Sequence, residues 1–244
     1  MGVKLLLLWR DASHERPVSE TARLVRAAVV ALADVDARQQ HPHQPSQQQP
    51  LQQQRAQQQP ADAAGAAAAC ETEVSEWAPA AKGAGCELSV VRSWEFPGEV
   101  LYAVKSKCMV ARADAALQAV LQGDAFVRRL RGRFEGTTHR MGDFTLRVLE
   151  ARLEAREETS AVVIECTYEP LQAVELATQL LREYTEQLLA ALTAKHTGLK
   201  GQLLCIHALH ASYDLPAEYA AEHLCLQYSQ CLGSIVRSSQ QAAR

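Results

Sequence analysis

No stretch of this 244-residue sequence comes near the roughly 18 consecutive apolar residues of a membrane-crossing helix, which predicts a soluble chain. The opening Lys4-Leu5-Leu6-Leu7-Leu8-Trp9 begins like a secretory leader but meets Arg10-Asp11 before an apolar region of the usual length is reached, so it reads as a buried first strand. A basic excess is also missing. Against 25 Lys and Arg stand 28 Asp and Glu, a net charge of -3, whereas nucleic-acid binders neutralise phosphates with a positive surface. Direct DNA or RNA binding by the bulk surface is therefore disfavoured. The seven cysteines are odd in number, lack paired spacing and follow no leader, a pattern that predicts reduced thiols in an intracellular compartment.

Signatures of catalysis are absent as well. There is no Gly-x-Ser-x-Gly, no phosphate loop and no Cys-Gly-Ser-Cys context. Glu150, Arg152 and Glu154 alternate on one strand face, as the lining of a tunnel-type triphosphatase would. Such barrels pair Glu-x-Glu-x-Lys strands, however, and the sequence holds no such run. Next to Arg156-Glu157-Glu158, these charges read as a solvated hairpin end. Cys205, His207, His210, His223 and Cys225 crowd together like zinc ligands. On a strand Cys205 and His207 would share a face, but on a helix His223 and Cys225 point about 200° apart and do not meet one tetrahedral ion simply. Buried thiols and hydrogen-bonded histidines are the expected alternative. No catalytic, cofactor-binding or metal-ligating residue is assigned, and a non-enzymatic chain without cofactor is expected. Arg128, Arg129, Arg131 and Arg133 form a basic cluster at an expected helix end, where they would complement the helix dipole or meet an acidic partner.

What remains is material for a core. Residues 17 to 36 place Leu24, Val25, Ala28, Val29 and Leu32 on one helical stripe. Residues 37 to 83, with three Gln triplets and an alanine run, bury too little apolar surface to offset chain entropy and are expected to be a disordered insertion. That leaves about 200 foldable residues, enough for a sizeable core. Leu88 and Val90, then Tyr102 and Val104 after the Pro97-Gly98 turn, alternate as two antiparallel strands, with a third short strand near residues 107 to 111. A helix is expected through Leu117, Val120, Leu121, Val127 and Leu130, and the polar residues 131 to 140 as an edge strand or hairpin arm. Phe144, Leu146 and Val148, and later Val162, Ile164, Cys166 and Tyr168, give the two clearest strands. The apolar phase switches parity to Leu149, Ala151 and Leu153, for which a bulge near residue 148 or 149 is expected. A helix of about 22 residues follows through Val174, Leu181, Leu188 and Leu192. After it the order leaves room for a short strand before a last helix opening at Pro216, with a stripe of Ala220, Leu224, Tyr228, Cys231 and Ile235. The order predicts an α+β fold, an antiparallel β-barrel of about seven or eight strands with flanking helices.

Three segments add a resemblance. Gly142-Asp143-Phe144-Thr145-Leu146-Arg147-Val148, the strand Val163-Ile164-Glu165-Cys166-Thr167-Tyr168-Glu169-Pro170 and the opening Met1-Gly2-Val3-Lys4 resemble the Mediator subunit 20 family. His223, Gln227 and Tyr228 in the last helix resemble its plant branch. The match covers residues 1 to 36 and 86 to 244. Thr167 departs from the acidic residue usual before the tyrosine, and the Gln-rich insertion is not a family feature. The resemblance implies one β-barrel domain with flanking helices and a nuclear, non-catalytic role in the Mediator head module. It further implies pairing with Mediator subunit 18, contact through subunit 8 with the rest of the complex, and a bridge from gene-specific activators to RNA polymerase II. A scaffold outside transcription is the competing reading.

Overall fold

The computed structural model describes residues 2–11, 16–40, 70–81, 87–121, 125–154, 156, 158–206 and 212–242. In chain order its elements are β1 (Val3–Asp11), α1 (Val18–Gln40), β2 (Cys70–Pro79), β3 (Leu88–Ser93), β4 (Glu99–Val104), β5 (Met109–Asp114) and α2 (Leu117–Leu121). β6 (Phe126–Met141), β7 (Phe144–Leu153), β8 (Thr159–Tyr168), α3 (Val174–Lys195), β9 (Gly201–Ile206) and α4 (Ala221–Ala242) complete them. Nine strands form one antiparallel sheet in the order β5-β4-β3-β2-β6-β7-β8-β1-β9. The α+β reading holds. The ladder is open, because among the described residues β5 and β9 each pair on one side only.

The helices divide between the two faces of this sheet. α1 packs on β6, β7 and β8, and α3 on β1, β8 and β9, which makes an outer layer. α4 touches β1 through β5 as well as β8 and β9, so both wings of the sheet curl around it. The central strands are consequently covered on both sides, and Val3 to Trp9 are all buried. A strand in that position is apolar without alternation, which is why the Leu5–Leu8 run belongs there. A smaller second core lies on the outer face of the other wing, where Trp77, Leu88, Val90, Val100 and Tyr102 gather with Leu121 of α2.

Four expectations need correction. Cys70–Pro79, inside the span expected to be a disordered insertion, is a strand paired on both edges, and α1 runs on to Gln40; residues 41–69 lie outside the described residues. With β2 present, the expected helix through Leu130 shortens to Leu117–Leu121, and Phe126 onward pairs with β2 instead. Backbone pairing with β2 outweighs the helical spacing of Val127 and Leu130, and Val127 is left exposed. Of the two readings of residues 131 to 140 the hairpin arm holds, since β6 turns at Gly142 into β7, and the edge strand does not, since β6 joins β2 to β7. The last helix begins at Ala221 rather than at Pro216.

The parity switch in β7 has a different cause from the one expected. β7 keeps regular register with β6 throughout, and its register shift against β8 falls at Ala151/Arg152. Leu146 and Val148 face the outer helices while Leu149, Ala151 and Leu153 face α4, and both sets are buried. Two covered faces remove the need for a bulge at residue 148. The β6–β7 turn is closed by Gly142 at φ 57, a left-handed conformation that a glycine adopts without Cβ strain. Beside it Phe144 stacks on Tyr184 of α3 with ring centroids 3.9 Å apart and meets Tyr168 at 5.0 Å, pinning α3 to the sheet.

Candidate functional site

The most concentrated chemistry in the molecule is a buried cluster of charges between the inner face of the sheet and α4. Lys4, Arg147 and Glu165 come from β1, β7 and β8, where Arg147 lies directly opposite Glu165 and Leu6 of β1 lies opposite Glu165 on its other side. Glu95 enters from the β3–β4 turn. Lys4 Nζ contacts Glu95 and lies 3.2 Å from Glu165 Oε1. Arg147 Nη1 pairs with Glu165 and, at 2.9 Å, with Glu95. Two cations and two carboxylates thus neutralise one another, and the Glu165 side chain is only 1% exposed.

Groups from α4 complete the arrangement. The Tyr228 hydroxyl donates to Glu165 Oε2 at 2.7 Å, and Tyr228 packs edge-on against Phe134 of β6 at 5.1 Å. Gln227 Nε2 donates to the backbone carbonyl of Lys4 at 2.8 Å, while its own Oε1 accepts from the Tyr219 hydroxyl at 2.7 Å. Trp94 covers the assembly from the turn, its ring 4.3 Å from the Arg147 guanidinium. His223 stacks on Tyr219 at 5.2 Å and its Nδ1 accepts from the Ala220 amide at 3.1 Å. Burial holds the His223 ring below the ordinary histidine pKa, so it sits neutral at pH 7.

Burial alone would raise the pKa of the Glu165 carboxyl, but the Lys4 ammonium, the Arg147 guanidinium and the Tyr228 hydroxyl outweigh it and hold the group below the usual carboxylate range. A folded-state pKa below the unfolded value of about 4.3 contributes stability that is complete at pH 6 to 7. That contribution is lost as the pH falls through the folded value. Thermal melts between pH 7 and pH 3 are expected to show a falling Tm, and a Glu165→Gln chain a shallower fall; parallel curves for the two would exclude this cluster as a source of acid lability.

The cluster is filled by its own side chains, and every carboxylate oxygen named already accepts from a cation or hydroxyl. It can fix three strands and a helix in register. It offers no open face on which a substrate atom would meet Glu165.

The candidates raised on sequence disperse. Cys205 lies on the outer face of β9, whereas His223 and Cys225 are on α4 beneath the inner face, so the sheet separates them. His207 and His210 fall outside the described residues, and among those described no group of three metal-ligating side chains converges. Glu150 receives Arg26 at 2.6 Å and Thr159 at 2.8 Å, and Arg152 and Glu154 are exposed, so the triplet lies on the outer surface and not in a tunnel. Nor is the arginine cluster at a helix end: all four residues lie on β6. Arg131 bonds Glu73 at 2.5 Å and Glu154 at 3.4 Å, Arg128 bonds Glu154 at 2.9 Å, and Arg133 lies 4.0 Å from Glu71. Such half-exposed pairs contribute at most about 1 kcal/mol each, and they engage three of the four arginines, while Arg129 is exposed with no ion pair among the described residues.

Sequence reasoning passed over Glu95 and the inward aim of Arg147 and Glu165, because a charge between apolar neighbours on a strand reads as the solvated face. The usable signal was that three such charges, Lys4, Arg147 and Glu165, stand inside the three most apolar strands. The thiols behave as the apolar reading of the core implies. Burial raises the Cys166 and Cys225 thiols strongly and pushes Cys231 up to about 12. Brief alkylation of the native chain at pH 8 is expected to modify the half-exposed Cys108 and to spare Cys166, Cys225 and Cys231 until denaturant is added, as read by peptide mass spectrometry. Equal labelling of all four would refute a packed α4 interface.

No family model matches the chain. In a comparison with curated proteins it is 24% identical over 147 residues to "Mediator of RNA polymerase II transcription subunit 20b" of Arabidopsis thaliana. The chain is similar to Mediator subunit 20. The matched region is 60% of this chain and 66% of the Arabidopsis protein, just under two thirds of that relative's length. The segments that resemble the Mediator subunit 20 family on sequence also meet in space. Lys4 of the opening, Arg147 of the Gly-Asp-Phe strand, Glu165 of the Tyr-x-Pro strand, and Gln227 and Tyr228 of the last helix are the members of one buried network.

Proposed function

We propose that this chain is a non-catalytic subunit of the Mediator complex, acting in the nucleus by protein-protein contact to link transcription regulators with RNA polymerase II. The similarity to the Arabidopsis subunit carries this reading. The cluster supports it, since the most polar constellation in the molecule is spent internally on holding strands to α4. On the same reading, residues 1 to 244 form one domain, the sheet curled about α4 is an opened form of the family's barrel, and the chain sits in the head module, paired with subunit 18 and linked through subunit 8. Catalysis, cofactor and direct nucleic-acid contact have no part in it. Affinity purification of the tagged chain from nuclear extract tests the proposal. Stoichiometric recovery of subunit 18 with other head subunits is the expected result; recovery of the chain alone, or with cytosolic proteins, would favour a scaffold outside transcription and overturn it.

A further inference from the structure

Among the described residues the sheet has two edges without a partner strand, β5 and β9, and they are not alike. β5 carries Arg112 and Asp114, and Arg112 is tied to Glu222 of α4 by two bonds of 3.1 and 3.2 Å. Charges on an edge strand and a tether to a neighbouring helix are ordinary protection against pairing with another chain. Among the described residues β9 has none of these. Gly-Gln-Leu-Leu-Cys-Ile holds no charge and no proline, and it keeps unbroken register with β1 over six consecutive pairs. Leu204 is 37% exposed on one face, and Leu203 and Cys205 are half-buried on the other. An uncharged, largely apolar edge of this kind presents unpaired backbone donors and acceptors beside side chains that gain by being covered.

Charge around the strand narrows what would cover it. Arg10 lies opposite Gln202, Lys200 immediately precedes the strand and Lys195 ends α3; all three are exposed, and none has an ion-pair partner among the described residues. At the other half of the strand the charges are balanced, since Arg182 and Glu186 of α3 both act on Cys205. Asp11, opposite Gly201, accepts from Thr21 at 3.2 Å, so the Gly201 end carries an excess of cations over carboxylates and the Ile206 end is neutral. We propose that the free edge of β9 takes up an extended segment of a partner protein, one that alternates apolar side chains and carries carboxylates where it passes Gly201. Backbone bonds along about 20 Å of strand would supply the docking, and Leu204 and the lysines its selectivity.

This inference rests on the Mediator reading, and the test separates the two. A photo-crosslinking residue is placed at Leu204 or, for comparison, at Met109 on β5 of the full chain, and each version is purified from nuclear extract. Amide exchange of β9 is followed in the isolated and the assembled wild-type chain. Expected are a cross-link from position 204 to one Mediator subunit, at least ~tenfold slower exchange of β9 in the assembly, and ~tenfold weaker recovery of that subunit by the solvent-facing variant Lys195→Glu/Lys200→Glu. Mediator recovered with position 204 silent and β9 exchanging as in the isolated chain, or with cross-links from position 109 alone, overturns the edge proposal and leaves the Mediator reading intact. Absence of Mediator from the wild-type purification overturns both.

Discussion

Replacing Glu165 with alanine is expected to cost the fold about 3–5 kcal/mol, the range found when one partner of a buried ion cluster is removed. The substitution leaves Lys4 and Arg147, both nearly sealed from water, with the single carboxylate of Glu95, and it strips the Tyr228 hydroxyl of its acceptor. Neither cation can turn to solvent without opening the interface between α4 and the sheet, since Gln227 and Tyr228 close it from the helix side and Trp94 from the turn. Urea unfolding read by linear extrapolation measures the loss. Glu165→Gln retains the shape and an oxygen for Tyr228 but not the charge, and belongs between the two. A loss below about 1 kcal/mol for the alanine variant, the range of solvated surface pairs, would mean that water reaches the cluster and that it does not hold α4.

The second large effect lies in β6. An alanine at Gly136 would set its Cβ 1.9 Å from the carbonyl oxygen of Val148 and 2.8 Å from the carbonyl carbon, both backbone atoms of the paired strand β7. Backbone in the middle of a nine-stranded sheet has nowhere to retreat. Gly136→Ala is therefore expected to reach or exceed the ~3 kcal/mol upper end usual for overpacking, with the exchange protection of β6 and β7 falling together. Gly98→Ala is the useful contrast, since a Cβ there meets nothing within 4 Å and only its φ of +88 is unfavourable. Its cost should stay near the 1–2 kcal/mol of left-handed strain. Equal effects for the two variants would show that the close approach at Gly136 is not what the glycine serves.

Some of the molecule is legible in its sequence and some is not. α1 and α3 were legible because each buries one stripe: Val25, Ala28 and Val29 in the first, Ala177, Leu181, Leu188 and Leu192 in the second. The antiparallel hairpins β3–β4 and β7–β8 were legible from alternation and short connections. β2 was not, because Glu71-Thr72-Glu73-Val74-Ser75-Glu76 is polar at all but one position and follows directly on the low-complexity tract. It becomes a strand only because β3 and β6 supply partners on both edges and its carboxylates meet Arg131 and Lys105. Misreading β2 carried the error into β6, whose first half then had nothing to pair with.

The charge cluster divides along the same line. Its members could be recognised as a recurring set of residues, but local sequence states only that a charge alternates with apolar neighbours, and that pattern is the same whether the other face meets water or a helix. Composition, periodicity and motif by themselves determined the α+β class, the principal helices and the likeness to Mediator subunit 20. Tertiary structure alone decided that, among the described residues, the sheet has nine strands with two unequal free edges, that it curls around α4, and that Lys4, Glu95, Arg147, Glu165 and Tyr228 meet. The physical reason is range: periodicity registers what one element buries, whereas hydrogen-bond partners lie up to 223 residues apart and neutralising charges up to 161, and only packing brings them together.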